Sequence, residues 1–164
     1  MENTSPYVVM QKFVDANPID KFVKKKNGYS YLTWSIAYQY VKAVFPTCKI
    51  IKHTFKAESP NDTILPVMLD AQGYAYVQCS VIWGEYETTE IFPVTDFKNQ
   101  AIKNPTPKDV DNALQRCKTK CIAMFCGLGL QLWHGEDLPV SSDLDSSEGK
   151  DGEGAASANS LQLD

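Results

Sequence analysis

No apolar run in the 164-residue chain approaches the roughly 18 residues that a membrane-spanning helix needs. The opening MENTSPYVVMQKF lacks the basic-then-apolar pattern of an export signal. Together these absences lead us to expect a cytoplasmic protein with no membrane partner. There is no G-x-x-x-x-G-K-[ST] loop to cradle phosphates, and no G-x-G-x-x-G following a strand. We therefore expect no nucleotide cofactor. Histidine is scarce, with only two, His53 and His134, and a nucleophilic cysteine would need a base partner. The five cysteines are an odd number and include no C-x2-C knuckle, which argues against both a disulfide framework and a structural zinc site. A metal would have to draw on Cys117 and Cys121, one helical turn apart, with Cys126 and His134 as further candidates. Free cysteine otherwise behaves as a small buried apolar residue, and we read the thiols as core.

What is present is unevenly spread. The net charge is −4, yet residues 136–164 hold eight acids against Lys150, a net of −7, which leaves −4 − (−7) = +3 on residues 1–135. A basic body with an acidic tail is a pattern met in proteins that handle nucleic acid. The segment VSSDLDSSEGKDGEGAASANSLQLD has no aromatic residue and too little apolar surface to offset the entropy of ordering. We expect residues 140–164 to be a disordered acidic tail and residues 1–139 to form one domain.

Periodicity places a short helix in SPYVVMQKFVDAN, stopped by Pro18, and a second in LTWSIAYQYVKAVFP. There Thr33 stands at the cap position, Ile36, Ala37, Tyr40, Val41 and Val44 recur at helical spacing, and Pro46 closes the segment. Four strand-like runs follow, CKIIKHTF, ILPVML, YAYVQCSVIW and YETTEIFPV, with turns at DAQG and GE. After the polar loop DFKNQAIKNPTPKD, a long helix runs from about Lys108 to Cys126. Helix, antiparallel meander, helix is an α+β layout in which one sheet face needs a helix against it.

At 100° per residue from Asn112, the long helix places Val110, Leu114, Cys117, Cys121, Met124 and Phe125 within about 50° of one direction. That is the expected buried stripe. Arg116 and Lys120 fall on the other side, with Asn112, Gln115 and Thr119, and Lys118 lies at the border. No acid is spaced four residues from Arg116 or Lys120 to pair with them. A second cationic cluster, Lys24, Lys25 and Lys26, is followed closely by Tyr29, Tyr31 and Trp34; we assign Trp34 to the core. Cations for phosphates beside rings for bases form a single-stranded nucleic-acid surface. Lys98 and Lys103, in the polar loop, are weaker candidates.

Three alternatives stay open. Asp70 with Asp96-Phe97-Lys98 is the short pattern of a Mg²⁺-dependent nuclease. A plain single-strand DNA-binding protein on an OB barrel also combines a basic body with an acidic tail. The third is a scaffold or inhibitor protein with no nucleic-acid role.

The segments YLTWSIAYQYVKAVFP, PVTDFKNQAIKNPT, ALQRCKTKCIAMFCGLGL and GEDLP occur in the order found in a phage family of single-strand annealing proteins, and from Lys24 to Pro139 the chain resembles that family. It is grouped with the eukaryotic Rad-fifty-two and phage Erf proteins. The resemblance implies a β-β-β-α core, a long helix packed across a curved antiparallel sheet, with N-terminal helices added. It implies ATP-independent binding and annealing of single-stranded DNA in recombination and repair, without enzymatic chemistry and without a cofactor. It also implies a homo-oligomeric ring or filament in the cytoplasm of a bacterial host. By motif position Lys24, Lys25, Lys26 and Lys120 match the family's groove, with Arg116 one turn earlier and Cys121 where relatives carry another cation. The acidic tail is then a solubilising segment, or a contact for a host or phage single-strand binding protein.

Overall fold

The computed structural model describes residues 4–26, 28–57, 61 and 63–134. The tail and the GEDLP segment lie outside the described residues. Helix α1 (Pro6–Ala16) opens on a proline, whose missing N–H costs nothing in a first turn. It buries Pro6 and Met10, with Val9, Phe13 and Val14 beside them. A 3-10 turn then leads to strands β1 (Val23–Lys26) and β2 (Tyr29–Leu32). Helix α2 (Trp34–Val44) follows from Thr33. The Thr33 hydroxyl sits at the N-cap but bonds the Ser35 hydroxyl and not the helix backbone.

The strand-like run after α2 divides. β3 (Lys49–Lys52) pairs antiparallel with β7 (Ala75–Trp83), while β4 (Phe55–Lys56) turns away to pair with β5 (Ile64–Leu65). Pro66 has no N–H to continue a ladder, so the next run also splits. Its second half, β6 (Met68–Leu69), returns to β7. β7 and β8 (Tyr86–Pro93) form a hairpin over their full length. The expected consecutive meander is corrected accordingly: β3 and β6 share one edge of β7, β8 takes the other, and all pairings are antiparallel. Asp70 and Gly73 (φ +88°) shape the turn into β7, and Gly84 (φ +59°) the turn between β7 and β8.

Helix α3 (Pro107–Cys126) starts one residue earlier than expected, behind a reciprocal capping box of Thr106 and Asp109. It ends where Gly127 adopts φ +77°. Alternate β7 residues Ala75, Val77, Cys79 and Val81 point at it and are buried, as are Cys117, Cys121 and Phe125 from its side. Cys117 Sγ donates to Glu90 O (3.4 Å) and Cys121 Sγ to Cys79 O (3.4 Å) and Thr88 O (3.2 Å), which fixes that face on β7 and β8.

The helix has a second buried face, which its own periodicity does not announce. Thr119, Ile122, Ala123 and Cys126 are buried roughly 100–180° from Cys117 and Cys121 on the helical wheel, because α1 and α2 both pack on α3. Thr119, expected to face solvent, bonds Gln115 O (2.9 Å) inside this second contact. Met124, expected in the stripe, is 53 % exposed, since it falls between the two buried faces. The helix is thus covered on two opposite sides and open along two narrow flanks. All five thiols are buried and free. Each fully buried large apolar side chain, such as Phe45 or Ile122, contributes about 1.5–3 kcal/mol.

Candidate nucleic-acid interface

The two open flanks of α3 divide the cations predicted for one ridge. Arg116 and Lys120 occupy the β8 flank. The Arg116 guanidinium carbon stands 4.9 Å from the Phe92 ring centre, and Lys120 Nζ lies 5.8 Å from Phe92 and 5.9 Å from Trp133. Those two rings meet edge to face at 6.4 Å. Arg116 also donates to Asn99 Oδ1 (2.7 Å), tying the flank to the loop of Phe97 and Lys98. Phe97 is 75 % exposed with Lys98 Nζ over its ring at 5.6 Å. Cation and aromatic alternate along this surface, so a ring face fixes each positive charge in the half-wet setting where cation–π contacts matter.

Lys118 is on the other flank. Its ammonium lies 4.6 Å from the ring centre of Trp34 and donates to Gln115 Oε1 (2.9 Å). Burial, and then the charge of Lys52, push its pKa below the usual lysine value. Trp34, assigned to the core from sequence, is 44 % exposed and forms the platform of this flank. One turn on, Lys42 Nζ lies 5.9 Å from the ring centre of Tyr38. Trp34, Tyr38 and Lys42 are four residues apart, so one face of α2 carries all three. That four-residue spacing is visible in the sequence.

Lys24, Lys25 and Lys26 lie on a strand, β1. The register pairs Lys24 with Tyr31, Lys25 with Ser30 and Lys26 with Tyr29. Side chains alternate along a strand, so Lys24, Lys26, Tyr29 and Tyr31 share one face. Lys25 stands on the other with Val23, Ser30 and the buried Leu32. The missed hairpin had a sequence signal, the Asn27–Gly28 pair, a strong two-residue turn former, and Gly28 takes φ +79°. β2 packs on the 3-10 turn Leu130–Trp133 that supplies Trp133. Lys103 stands apart from the Arg116 group, over Tyr74 at 5.3 Å.

The alternative chemistries find little support. Asp70 Oδ1 accepts the N–H groups of Gln72 and Tyr74, and Asp96 Oδ1 those of Lys98 and Gln100. Both are turn-forming acids. Among the described residues no three His, Cys, Asp or Glu side chains gather as a metal would require. In particular Cys126 Sγ bonds Ile122 O on the face opposite Cys117 and Cys121. Among the described residues no sheet closes into the barrel of an OB fold. No described helix is long and apolar enough to cross a membrane.

An open sheet is backed by a helix whose flanks alternate cations with rings, side-chain types able to neutralise phosphates and to stack on bases. The chain matches the Sak Single Strand Annealing Protein family over residues 8–160 and belongs to that family. No curated protein and no solved structure matches the chain. Single-strand annealing in recombination is thus the activity of its family, with single-stranded DNA the ligand.

Proposed function

We propose that this protein binds single-stranded DNA on the cation–aromatic surface and anneals complementary strands without ATP, metal or enzymatic turnover. The observation that carries this reading is the ladder Arg116, Phe92, Lys120, Trp133 in a member of an annealing family. Phosphates neutralised by these cations release condensed counterions, which supplies affinity that weakens steeply with salt. Rings beside the cations stack bases without choosing among them. Complementary strands held this way lose their mutual repulsion and their self-structure, and base stacking drives the pairing. The Lys24, Lys26, Tyr29, Tyr31 face and the Phe97–Lys98 loop extend the surface. Lys118, Lys25 and Lys103 have subsidiary places.

The sheet of β3, β6, β7 and β8 with α3 is, in this proposal, the β-β-β-α core of the annealase superfamily, working as a homo-oligomer in the cytoplasm of a bacterial host. The acidic tail then keeps that assembly soluble or contacts a single-strand binding protein.

The test mixes two complementary oligonucleotides with the protein in EDTA without ATP and follows duplex formation. Annealing should exceed the protein-free rate. The pair Arg116→Ala with Lys120→Ala should weaken single-strand binding and lower the slope of log K against log salt by about two. Wild-type protein that leaves the oligonucleotides unpaired at the spontaneous rate would sink the proposal.

A further inference from the structure

We infer that copies of this chain join head to tail through the two open edges of the sheet, β8 of one against β3 of the next, and that this joint assembles the two separated cationic flanks of α3 into one groove. The inference rests on the annealing reading and specifies its assembly. β7 has neighbours on both sides, but among the described residues β3 and β8 pair with β7 alone. Each therefore leaves a row of backbone N–H and C=O groups without a strand partner, which is a template for another chain.

Charge selects the match. β3 carries Lys49 and Lys52, and β8 carries Glu87 and Glu90. The register sets them in common rows: Lys49 and Glu87 both pair with Ile82, and Lys52 and Glu90 both pair with Cys79. Moving a copy sideways by the width of the sheet then sets Glu87 opposite a neighbouring Lys49, and Glu90 opposite a neighbouring Lys52. The first pair lies on the solvent face and the second on the α3 face. Symmetric alternatives fail, because β8 against β8 concentrates glutamates, β3 against β3 concentrates lysines, and like charges across a strand pair repel.

The backbone agrees independently. β3 and β8 both run antiparallel to β7, so the joint is parallel. The Val94 N–H bonds Ala75 O, and the His53 N–H bonds Gln78 O. In antiparallel ladders the bonded groups alternate, so Thr88 and Glu90 turn their groups toward β7 while Glu87, Thr89 and Ile91 turn theirs outward. By the same count Lys49 and Ile51 face β7, whereas Ile50 and Lys52 face outward. A parallel ladder requires one residue to bond those on either side of its opposite number. Thr89 opposite Ile51 would use the outward groups of Ile50 and Lys52, so the register demanded by charge is also the one the backbone permits.

The site gains from the joint. Arg116 and Lys120 lie over the β8 side, and Lys118 with Trp34 over the β3 side. Within one chain α3 stands between them, but across the joint they become neighbours. Such an interface is heterologous, so it propagates into a ring or a filament.

The experiment reads assembly size by sedimentation velocity. Wild type should sediment well above its 18.3 kDa protomer. Glu87→Lys with Glu90→Lys, and separately Lys49→Glu with Lys52→Glu, should each give monomers. An equimolar mixture of the two variants should recover assembly, since every joint is again opposite in charge, and so should all four reversals in one chain. Single-strand affinity should fall at least tenfold in the Glu→Lys variant, although added positive charge alone would raise it, and the mixture should recover it. Variants that stay assembled, or a mixture of folded variants that stays monomeric, would overturn the joint.

Should the reversed chains fail to fold, Ile51→Cys with Thr89→Cys in the otherwise native chain tests the same register. The five native thiols are buried, so mild oxidation should give a ladder of covalent multimers, and a gel showing only monomer would refute the proposal. The two readings separate cleanly. A monomeric wild type that still anneals rejects the joint alone, whereas assembly without annealing rejects the function alone.

Discussion

Gly127 shows how narrowly single positions are set. It takes φ +77° at the end of α3, and a Cβ there would fall on the ring of Tyr7, well inside van der Waals contact. Left-handed strain of about 1–2 kcal/mol adds to the overlap. Gly127→Ala should therefore cost about 2–4 kcal/mol, measured as a lower urea midpoint, and Tyr7→Ala in that background should recover part of the loss. The buried thiols carry a pH signature. Burial, the largest cause for both, pushes Cys121 and Cys126 up to about 12 from an ordinary value of 9.0. Cys117 is raised too, first by its hydrogen bond with Cys79 and then by burial. A pKa higher in the folded chain means that the unfolded chain deprotonates first. The contribution is full below about pH 9 and is lost as the pH rises to about 12. Urea midpoints should hold steady up to that lower bound and then fall, while a thiol reagent at pH 8 should react slowly until denaturant is added. The core role of these residues was legible, because Cys117 and Cys121 lie mid-stripe at helical spacing. Trp34 was misplaced because an aromatic at the start of an amphipathic helix reads as core, whereas here Lys118 uses its face as a surface platform.

At the scale of elements, α3 was read almost to its ends, since Pro107, the Thr106–Asp109 capping box and Gly127 are local signals. Thr106→Ala should lower stability by about 1 kcal/mol, read from thermal or urea unfolding. The β1–β2 hairpin was missed despite Asn27–Gly28, because three consecutive lysines obscured the alternation of a strand. Its geometry predicts an asymmetry. Lys24→Ala and Lys26→Ala, made singly, should each reduce single-strand affinity several-fold more than Lys25→Ala, in a fluorescence-anisotropy titration, because only those two share a face with Tyr29 and Tyr31. Equal effects would show that net charge and not the tyrosine-bearing face does the binding. The strands of the sheet were recognised, but the excursion of β4 and β5 was not. Nothing in a hydrophobic run announces that its second half will leave the ladder, although Pro66 marked the return.

At the scale of the molecule, the second buried face of α3 could not be read from its own sequence. Thr119, Ala123 and Cys126 are small or weakly polar, and only the docking of α1 and α2 makes them interior. The same docking divides Arg116 and Lys120 from Lys118, a separation invisible on a helical wheel that assumes one buried side. The charge asymmetry of −7 on residues 136–164 against +3 on the rest gives a further expectation. A chain lacking residues 141–164 should anneal at least as fast as the full chain, because a competing polyanion has gone. Complete loss of DNA binding on that deletion would contradict both roles suggested for the tail.

The position of α3 along the chain also bears on how the molecule is made. The inner side of β7 and the packing sides of α1 and α2 are all completed by residues 107–126, which leave the ribosome after every strand they cover. At about 5–20 residues per second, a growing chain spends seconds with those apolar surfaces uncovered and two strand edges unpaired. Synthesis is therefore an interval in which those surfaces stand open to association with other chains.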